Sequence, residues 1–301
     1  MFHFTDIKDG VFQLGRLLSN EDADEILTMY YGGAGLQSLS NEFGVSRPTM
    51  LRFVRRHTEE IYSVVIELFR DSQLRSIPMN FGNSWCVDEK VIPVSEQEWR
   101  AGGHPVYSHK IKGGCQVAQV LFENVFDLRT HFCLVSELLA NNSAEEVMRA
   151  WLLGRERVGR WPVIIKCDGT YAHVYAHKRY LPKQVKLEIL HKIGEKSQVH
   201  IAEGYHKLMD ILKLDSGIHG FSLWIVHGIW LAYNFVNKKE RLGGSTPFEV
   251  AVNNKLFVKN GWEFLLALVE ITKKRNSANG KDEFVAFNRR LKDNLTSYLN
   301  I

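Results

Sequence analysis

The stretch "WCVDEKVIPV" (Trp85–Val94) places two carboxylates, Asp88 and Glu89, inside an apolar and β-branched run. Such a run is typical of a β-strand, and acids are uncommon in strands. A charge in a strand is either solvated on an edge face or retained because it binds something. Which of the two holds depends on whether other carboxylates of the chain can reach Asp88.

The composition is that of an ordinary globular protein. Of 301 residues, 45% are hydrophobic and 24% are charged, and this length is enough for two or three domains. A net charge of +4 with twelve histidines permits a nucleic-acid partner without requiring one. No CxxC pair occurs, so neither a zinc site nor a disulfide framework is predicted from the four cysteines, Cys86, Cys115, Cys133 and Cys167.

The first twenty residues contain no basic start followed by an apolar run, so no secretory signal is expected. The most apolar segment, "SLWIVHGIWLAYNFV" (Ser222–Val236), is too short to span a bilayer and contains His227 and Asn234. It predicts a buried helix that carries Trp224 and Trp230. A cytoplasmic protein without a membrane partner is expected, associated with the nucleoid if the host is a prokaryote.

Residues 1–78 are predicted to form a helical DNA-binding domain with a helix-turn-helix over residues 36–61. An apolar stripe at helical spacing leads to Gly44, which can end the first helix, and Ser46 can cap the second. The second helix of such a motif enters the major groove of DNA. The alternative is a helical hairpin with a solvated basic face. The residues predicted to contact DNA are Arg47, Thr49, Arg52, Arg55 and Arg56.

At residue 79 the periodicity of the apolar residues changes from helical to strand-like, and strand-like and helical segments follow one another up to residue 240. Three strands, a helix, a strand, a helix, a strand and a helix give the order β-β-β-α-β-α-β-α, which is the topology of the ribonuclease H-like fold. An α/β structure with a mixed sheet flanked by helices is therefore predicted. Residues 241–301 are predicted to form a C-terminal helical extension, with a loop over Lys273–Lys281.

Two further acids are placed to meet Asp88. Asp168 ends the fourth predicted strand, where Gly169 allows a sharp turn, and Glu203 lies on the closing helix, with 34 residues between the two acids. Each of these acids by itself fits a solvated surface position. Glu188 and Glu195 are alternatives to Glu203 as the third carboxylate of the group. Three converging carboxylates suit Mg²⁺, which prefers oxygen ligands, and two such ions can activate a nucleophile and stabilise a leaving oxygen at phosphorus.

The order of helix-turn-helix, "WCVDEK", "IIKCDGTYA" and a helix bearing a Glu resembles the DDE transposases of insertion sequences, which are relatives of the retroviral integrases. The element "STPFEVA" (Ser245–Ala251) is similar to a "TPxE" element of that family, and the resemblance covers most of residues 36–251. It implies that Asp88, Asp168 and Glu203 are the catalytic, metal-binding triad for Mg²⁺, with Mn²⁺ as a substitute. It also implies that Glu89 orients the site and that His206 and Lys207 hold DNA near the cut.

The predicted function is that of a DNA transposase, which binds the terminal repeats of its element, cleaves at the ends and joins the 3′-hydroxyl to target DNA. Because both ends must be held at once, a homodimer or a higher assembly on double-stranded DNA is expected. One alternative is a transposase-derived DNA-binding protein without catalysis, since the helix continues after Lys207 as "LMDILKLD" and is not rich in Arg and Lys. The other is a structure-selective nuclease of the same fold.

His173 and His177 are four residues apart on a predicted helix and so lie on one face of it. Such a pair can bind a metal ion. Because no further ligand follows at suitable spacing, the two are predicted to be DNA-facing or solvated.

Overall fold

A six-stranded mixed sheet positions the candidate site. The computed structural model describes residues 4–8, 11–14, 18–70, 79–94, 100, 105–112, 115–190, 196–215, 222–253, 255–256 and 260–276. The strands of this sheet are β3 (Ser84–Val94), β4 (Ser108–Lys112), β5 (Cys115–Asp127), β6 (Cys133–Leu139), β7 (Ile164–Cys167) and β8 (Lys186–Ile189).

Strand β3 lies in the middle of the sheet. It pairs antiparallel with β5 on one side and parallel with β7 on the other, and β7 pairs parallel with β8. The opposite edge of β5 pairs with β4 at one end and with β6 at the other. The predicted ribonuclease H-like order is confirmed, with β4 as an additional strand. The short and polar "SHKIK" of β4 lacks a strand pattern, and it is held by antiparallel pairing with β5.

The register of β3 against β5 assigns neighbouring acids to opposite faces of the sheet. Asp88 lies opposite Asn124, and Glu89 lies opposite Glu123. Successive side chains of a strand point to opposite faces. Asp88 and Asn124 therefore share one face of the sheet, whereas Glu89 and Glu123 share the other.

Helices cover both faces. On the Glu89 face are α4 (Ala144–Val158) and α5 (Tyr171–Tyr180), and on the Asp88 face is α6 (Lys196–Asp215), followed by α7 (Leu223–Leu231) and a π-helical turn over Ala232–Val236. Ser143 caps α4 and accepts a hydrogen bond from the Glu146 amide. The Glu146 carboxylate does not complete a capping box, because it accepts from the Ala140 amide instead.

The N-terminal region differs in part from its prediction as wholly helical. Strands β1 (Phe4–Lys8) and β2 (Val11–Leu14) form an antiparallel pair, and α1 (Ala23–Tyr31), α2 (Leu36–Glu42) and α3 (Arg47–Arg70) follow. The apolar residues of "FTDIK" and "VFQL" lie close to a helical spacing as well, so the pattern alone favoured the wrong element.

The predicted turn between α2 and α3 has the expected local geometry. Gly44 has φ of +65°, which favours glycine, and the Ser46 hydroxyl accepts a hydrogen bond from the Thr49 amide at 3.4 Å. Helix α3 extends well past residue 61, and it packs against α7 and against α9 (Gly261–Asn276). One hydrophobic core thus joins the N-terminal helices, the sheet and the C-terminal helices. The domain limits at residues 78 and 240 stay predictions.

The C-terminal segment begins with a short helix, α8 (Pro247–Val252), in which Thr246 and Glu249 form a capping box. Trp224 and Trp230 are buried in and around α7, as predicted. None of the helices in the described ranges has the length and apolar character needed to cross a membrane. Lys273–Asn276 belong to α9, contrary to the predicted loop, and the rest of that loop lies outside the described residues.

Candidate active site

Asp88 and Asp168 lie on neighbouring parallel strands. Asp88 is in the central strand, and Asp168 directly follows the last residue of β7. The parallel pairing of these strands ends at Cys86 and Lys166, two residues before each acid. The negative charge of Asp168 is also one of the groups that raise the pKa of Asp88, so the two carboxylates are within electrostatic reach.

The two acids have opposite electrostatic environments. Burial, followed by the charges of Asp168 and Glu123, raises the pKa of Asp88 from 3.8 to about 7. The pKa of Asp168 is lowered, first by its hydrogen bond with His173 and then by the Thr170 amide, which donates to it at 3.0 Å. Near pH 7, Asp168 is therefore ionised, whereas Asp88 is poised to lose its proton when a cation binds.

Gly169 makes the turn that follows Asp168. Its φ is +83°, and a β-carbon at this position would lie 2.6 Å from a methyl carbon of Ile189 in β8. Only glycine combines this backbone conformation with such close packing. The turn fixes the position of Asp168 at the carboxyl end of β7, where open α/β sheets bind their ligands.

His206 is the residue of α6 that faces Asp88. Its Nδ1 lies 3.6 Å from Asp88 Oδ2, and its Nε2 lies 3.1 Å from the side-chain amide nitrogen of Asn124. Asn124 in turn accepts a hydrogen bond from Ser136. Burial, and then the charge of Lys90, lowers the pKa of His206 to about 4. Near pH 7 the ring is thus neutral, so its contact with Asp88 is not an ion pair.

Glu203 and Lys207 are exposed and line a different cleft, of about 490 Å³. Tyr233 and a basic segment over residues 238–241 form much of the remaining wall. Among the residues that the structure describes, Asp88, Asp168 and Glu203 do not form a group with ligand atoms within 4.8 Å of one another. The structure therefore places Asp88 and Asp168 on neighbouring strands, within electrostatic reach of each other, and Glu203 at a different cleft. The role of all three as metal ligands stays a prediction, as does DNA contact by His206 and Lys207.

A second cluster lies on the opposite face of the sheet and consists of Glu89, Glu123 and His173. The Nε2 of His173 is 3.1 Å from Glu123 Oε2 and 3.6 Å from Glu89 Oε1. Both His173 and Glu123 are fully buried. The prediction that His173 and His177 are solvated or DNA-facing is therefore wrong for His173. His177 is half-buried and contacts the carbonyl oxygen of Val185 at 2.8 Å.

Burial by itself would lower the pKa of His173, but Glu123 and Asp168 raise it well above its usual value. Burial raises the pKa of Glu89, and the charge of His173 opposes this rise. The sequence offered one signal for this cluster, since antiparallel pairing of "VDEK" with "FENV" places Glu89 and Glu123 face to face. The burial of His173 depends on how α5 packs on the sheet, and this packing cannot be predicted from the sequence of the helix.

The predicted DNA-binding residues of α3 lie in its first three turns. Arg52, Arg55 and Arg56 are exposed, and Arg47 and Thr49 are half-buried. Arg55 pairs with Glu59 at 3.1 Å, one helical turn away. Contact of this face with DNA stays a prediction.

Comparisons with known proteins identify similarity in structure only. No protein-family model and no curated protein match the chain. The HTLV-2 integrase catalytic core domain, solved in complex with magnesium, matches with 13% identity and a TM-score of 0.38, over 57% of this chain and 97% of that one. A simian T-cell lymphotropic virus intasome matches with 12% identity and a TM-score of 0.39, over 78% and 76%.

The Mos1 mariner paired-end complex with Mn matches with 15% identity and a TM-score of 0.30, over 92% of this chain and 82% of that one. Likenesses at this level are too distant to carry a functional argument. The sheet's own strand order and pairing make this a ribonuclease H-like fold, of the type found in integrases and DDE transposases.

Proposed function

We propose that this protein is a DNA transposase that uses divalent metal ions for phosphoryl transfer. The observation that carries the proposal is the pair of acids, Asp88 in the central strand and Asp168 at the end of the adjacent parallel strand, close enough for the charge of Asp168 to raise the pKa of Asp88. In this proposal Glu203 of α6 completes the triad when DNA and metal are bound.

The donor set at this pair fits Mg²⁺. Two carboxylates of like charge repel each other, and burial of Asp88 adds to the penalty of ionising it, so a cation bound between them would relieve both effects. Mg²⁺ takes carboxylate oxygens and keeps several waters, so two or three acids suffice to hold it. When bound, the ion would polarise the scissile phosphate and favour ionisation of the attacking hydroxyl.

The chain's own residues would position the reaction. Asp168, already ionised, offers an acceptor at the mouth of the site, and Asp88 becomes one by releasing its proton to solvent. His206, held by Asn124, would keep the Asp88 carboxylate in one orientation. In the joining step, the 3′-oxygen of the element end bonds to a target phosphorus, the target's P–O3′ bond breaks, and the departing oxygen takes up a proton.

The N-terminal helices would supply sequence recognition. The turn at Gly44 and the exposed arginines of α3 support placement of this helix in the major groove. Recognition of two element ends in one complex requires two copies of this motif, which favours a dimer or a larger assembly on DNA.

A strand-transfer assay tests the proposal. Purified protein is incubated with Mg²⁺ or Mn²⁺, a target plasmid, and labelled duplexes from the DNA that flanks its coding sequence, and joined products are sequenced. Asp88→Asn and Asp168→Asn should each reduce joining at least about 100-fold, because a bound metal ion lowers the activation barrier by several kcal/mol. Glu188→Gln removes an acid that pairs with Lys166 at the sheet edge, and this matched control should retain full joining.

Glu203→Gln tests the third ligand separately, with an equally large loss expected. Joining that survives Asp88→Asn would show that Asp88 is not required for the reaction and would overturn the proposal.

The position of Glu203 favours a second candidate function, that of a DNA-binding protein of transposase ancestry. Glu203 lines a cleft of its own together with basic residues. This candidate predicts protection of specific sequences in a footprint, without metal-dependent joining by any variant. The same duplexes and proteins distinguish the two functions.

A further inference from the structure

We propose that Glu89, Glu123 and His173 form a second metal site, selective for a divalent transition-metal ion such as Zn²⁺, on the sheet face opposite Asp88. The site is separate from Asp88 because Asp88 and Glu89 are consecutive residues of one strand and point to opposite faces. Asp168, the other acid of the proposed catalytic pair, approaches His173 at Nδ1 and not at the ligand atom Nε2. Asp88 contacts α6 through His206, whereas Glu89 contacts α5 through His173.

The spacing of the three ligand atoms matches a tetrahedral site. Zn–N and Zn–O bonds of about 2.0–2.1 Å at tetrahedral angles place neighbouring ligand atoms about 3.3 Å apart. The Nε2 of His173 lies 3.1 Å from Glu123 Oε2 and 3.6 Å from Glu89 Oε1. All three ligand atoms lie within 4.8 Å of one another, and no other group of three in the described ranges does so.

The remaining polar atoms of the three side chains are held by hydrogen bonds. Trp151 Nε1 donates to Glu123 Oε1 at 2.8 Å, Asn142 donates to Glu89 Oε2 at 3.3 Å, and the Thr170 hydroxyl lies 2.9 Å from His173 Nδ1. Thr170 also donates to Glu89 Oε1 at 3.4 Å, so it accepts from Nδ1–H. Outer partners of this kind orient metal ligands and set the histidine tautomer, which leaves Nε2 aimed at the two carboxylates.

The charge balance favours a divalent cation. Like charges directly opposite each other in antiparallel strands are destabilising, and Glu89 and Glu123 are such a pair. Asp168 Oδ1, at 3.5 Å from His173 Nδ1, adds a third carboxylate. The imidazole of His173 can offer at most one positive charge against these carboxylates. A mixed nitrogen and oxygen donor set suits Zn²⁺ better than Mg²⁺.

The bound ion would link β3, β5 and α5. Glu89 is the most accessible of the three ligands, with its side chain 13% exposed, and it marks the route of entry. Because Asp168 and Thr170 lie in the turn that leads into α5, the site would also hold the proposed catalytic acid in position from behind.

Metal content tests the inference without DNA or activity. The full-length protein is loaded with Zn²⁺, dialysed and analysed by elemental mass spectrometry, and Co²⁺ loading provides a visible spectrum. Wild type and Asp88→Asn should each retain one Zn²⁺ per chain, as should the surface control Glu188→Gln. Glu123→Gln and His173→Gln should retain less than a tenth of that amount. Thr170→Val removes a hydrogen-bond partner of two ligands but no ligand, and it should weaken the affinity for Zn²⁺ about 10–100-fold.

Loss of the ion in Asp88→Asn would overturn the inference, since the ion would then belong to the catalytic pair. Absence of Zn²⁺ and of a Co²⁺ spectrum in wild type would also overturn it, because His173 would then be an ordinary buried partner of Glu123. X-ray absorption of the wild-type zinc protein covers the case in which the variants fail to fold, since a first shell without an imidazole would refute the site. None of these outcomes depends on whether the protein joins DNA.

Discussion

Replacement of Asp88 by asparagine is expected to stabilise the metal-free protein at alkaline pH. Burial and the charges of Asp168 and Glu123 raise the pKa of Asp88 from 3.8 to about 7. Since each unit of pKa difference between the folded and unfolded states is worth about 1.36 kcal/mol, the ionised carboxylate destabilises the fold by roughly 4 kcal/mol above pH 7. Asparagine has nearly the same shape and no charge, so a gain of about 2–4 kcal/mol in the free energy of unfolding is expected at pH 8.

The sign of the pH dependence follows from the raised pKa. Below about pH 4 the Asp88 carboxyl is protonated in the folded and unfolded states alike, and its ionisation has no effect on stability. Between about pH 4 and 7 the unfolded chain binds fewer protons than the folded one, and the wild type loses roughly 1.4 kcal/mol of stability per pH unit through this group. The advantage of Asp88→Asn should therefore shrink to roughly 1–2 kcal/mol at pH 5.

Urea denaturation in the presence of a chelator measures this difference at pH 8 and pH 5. Glu188→Gln serves as the control and should change stability by less than about 0.5 kcal/mol at either pH. Adding Mg²⁺ at pH 8 should narrow the gap, because the ion binds the wild-type carboxylate and stabilises the folded state. A neutral or destabilising Asp88→Asn at pH 8, or an equal gain at both pH values, would refute the reasoning.

Three further predictions concern packing and DNA contact. Gly169→Ala should destabilise the protein by about 2–4 kcal/mol in thermal or urea denaturation, since it adds a clash with β8 to a backbone of positive φ; Gly159→Ala, with φ of +80° in open space, should cost only about 1 kcal/mol, and equal losses would contradict the steric argument. Gly228→Ala should lower the free energy of unfolding by at least about 3 kcal/mol, because the added methyl group would overlap Tyr31 of α1. Its control, Gly204→Ala on α6, meets open space and should raise the free energy of unfolding by about 0.5–1 kcal/mol, and an unchanged stability of Gly228→Ala would refute the close approach. Arg52→Ala should reduce the slope of log affinity against log salt by about 1 in DNA-binding titrations, and an unchanged slope would exclude a phosphate contact at this residue.

Much of the fold could be predicted because its signals are local. The apolar run around Asp88, the turn at Gly44 and the strand before Asp168 each show their periodicity or end signal within a few residues. The strand order then followed from how such elements connect. The hairpin of β1 and β2 was missed because two short apolar segments fit a helix as well as strands.

From sequence alone one could predict most elements of the six-stranded sheet and its helices, their order, and that Asp88 and Asp168 lie on adjacent parallel strands, because side-chain alternation and short connections are properties of the local chain. Tertiary packing decided which side chain of α6 faces Asp88, since Glu203 and His206 are about 60° apart around the helix and packing sets its rotation. It likewise decided that His173 is buried against Glu89 and Glu123. That contact joins residues some 50 and 84 positions apart in sequence, and it exists only when α5 docks on the sheet.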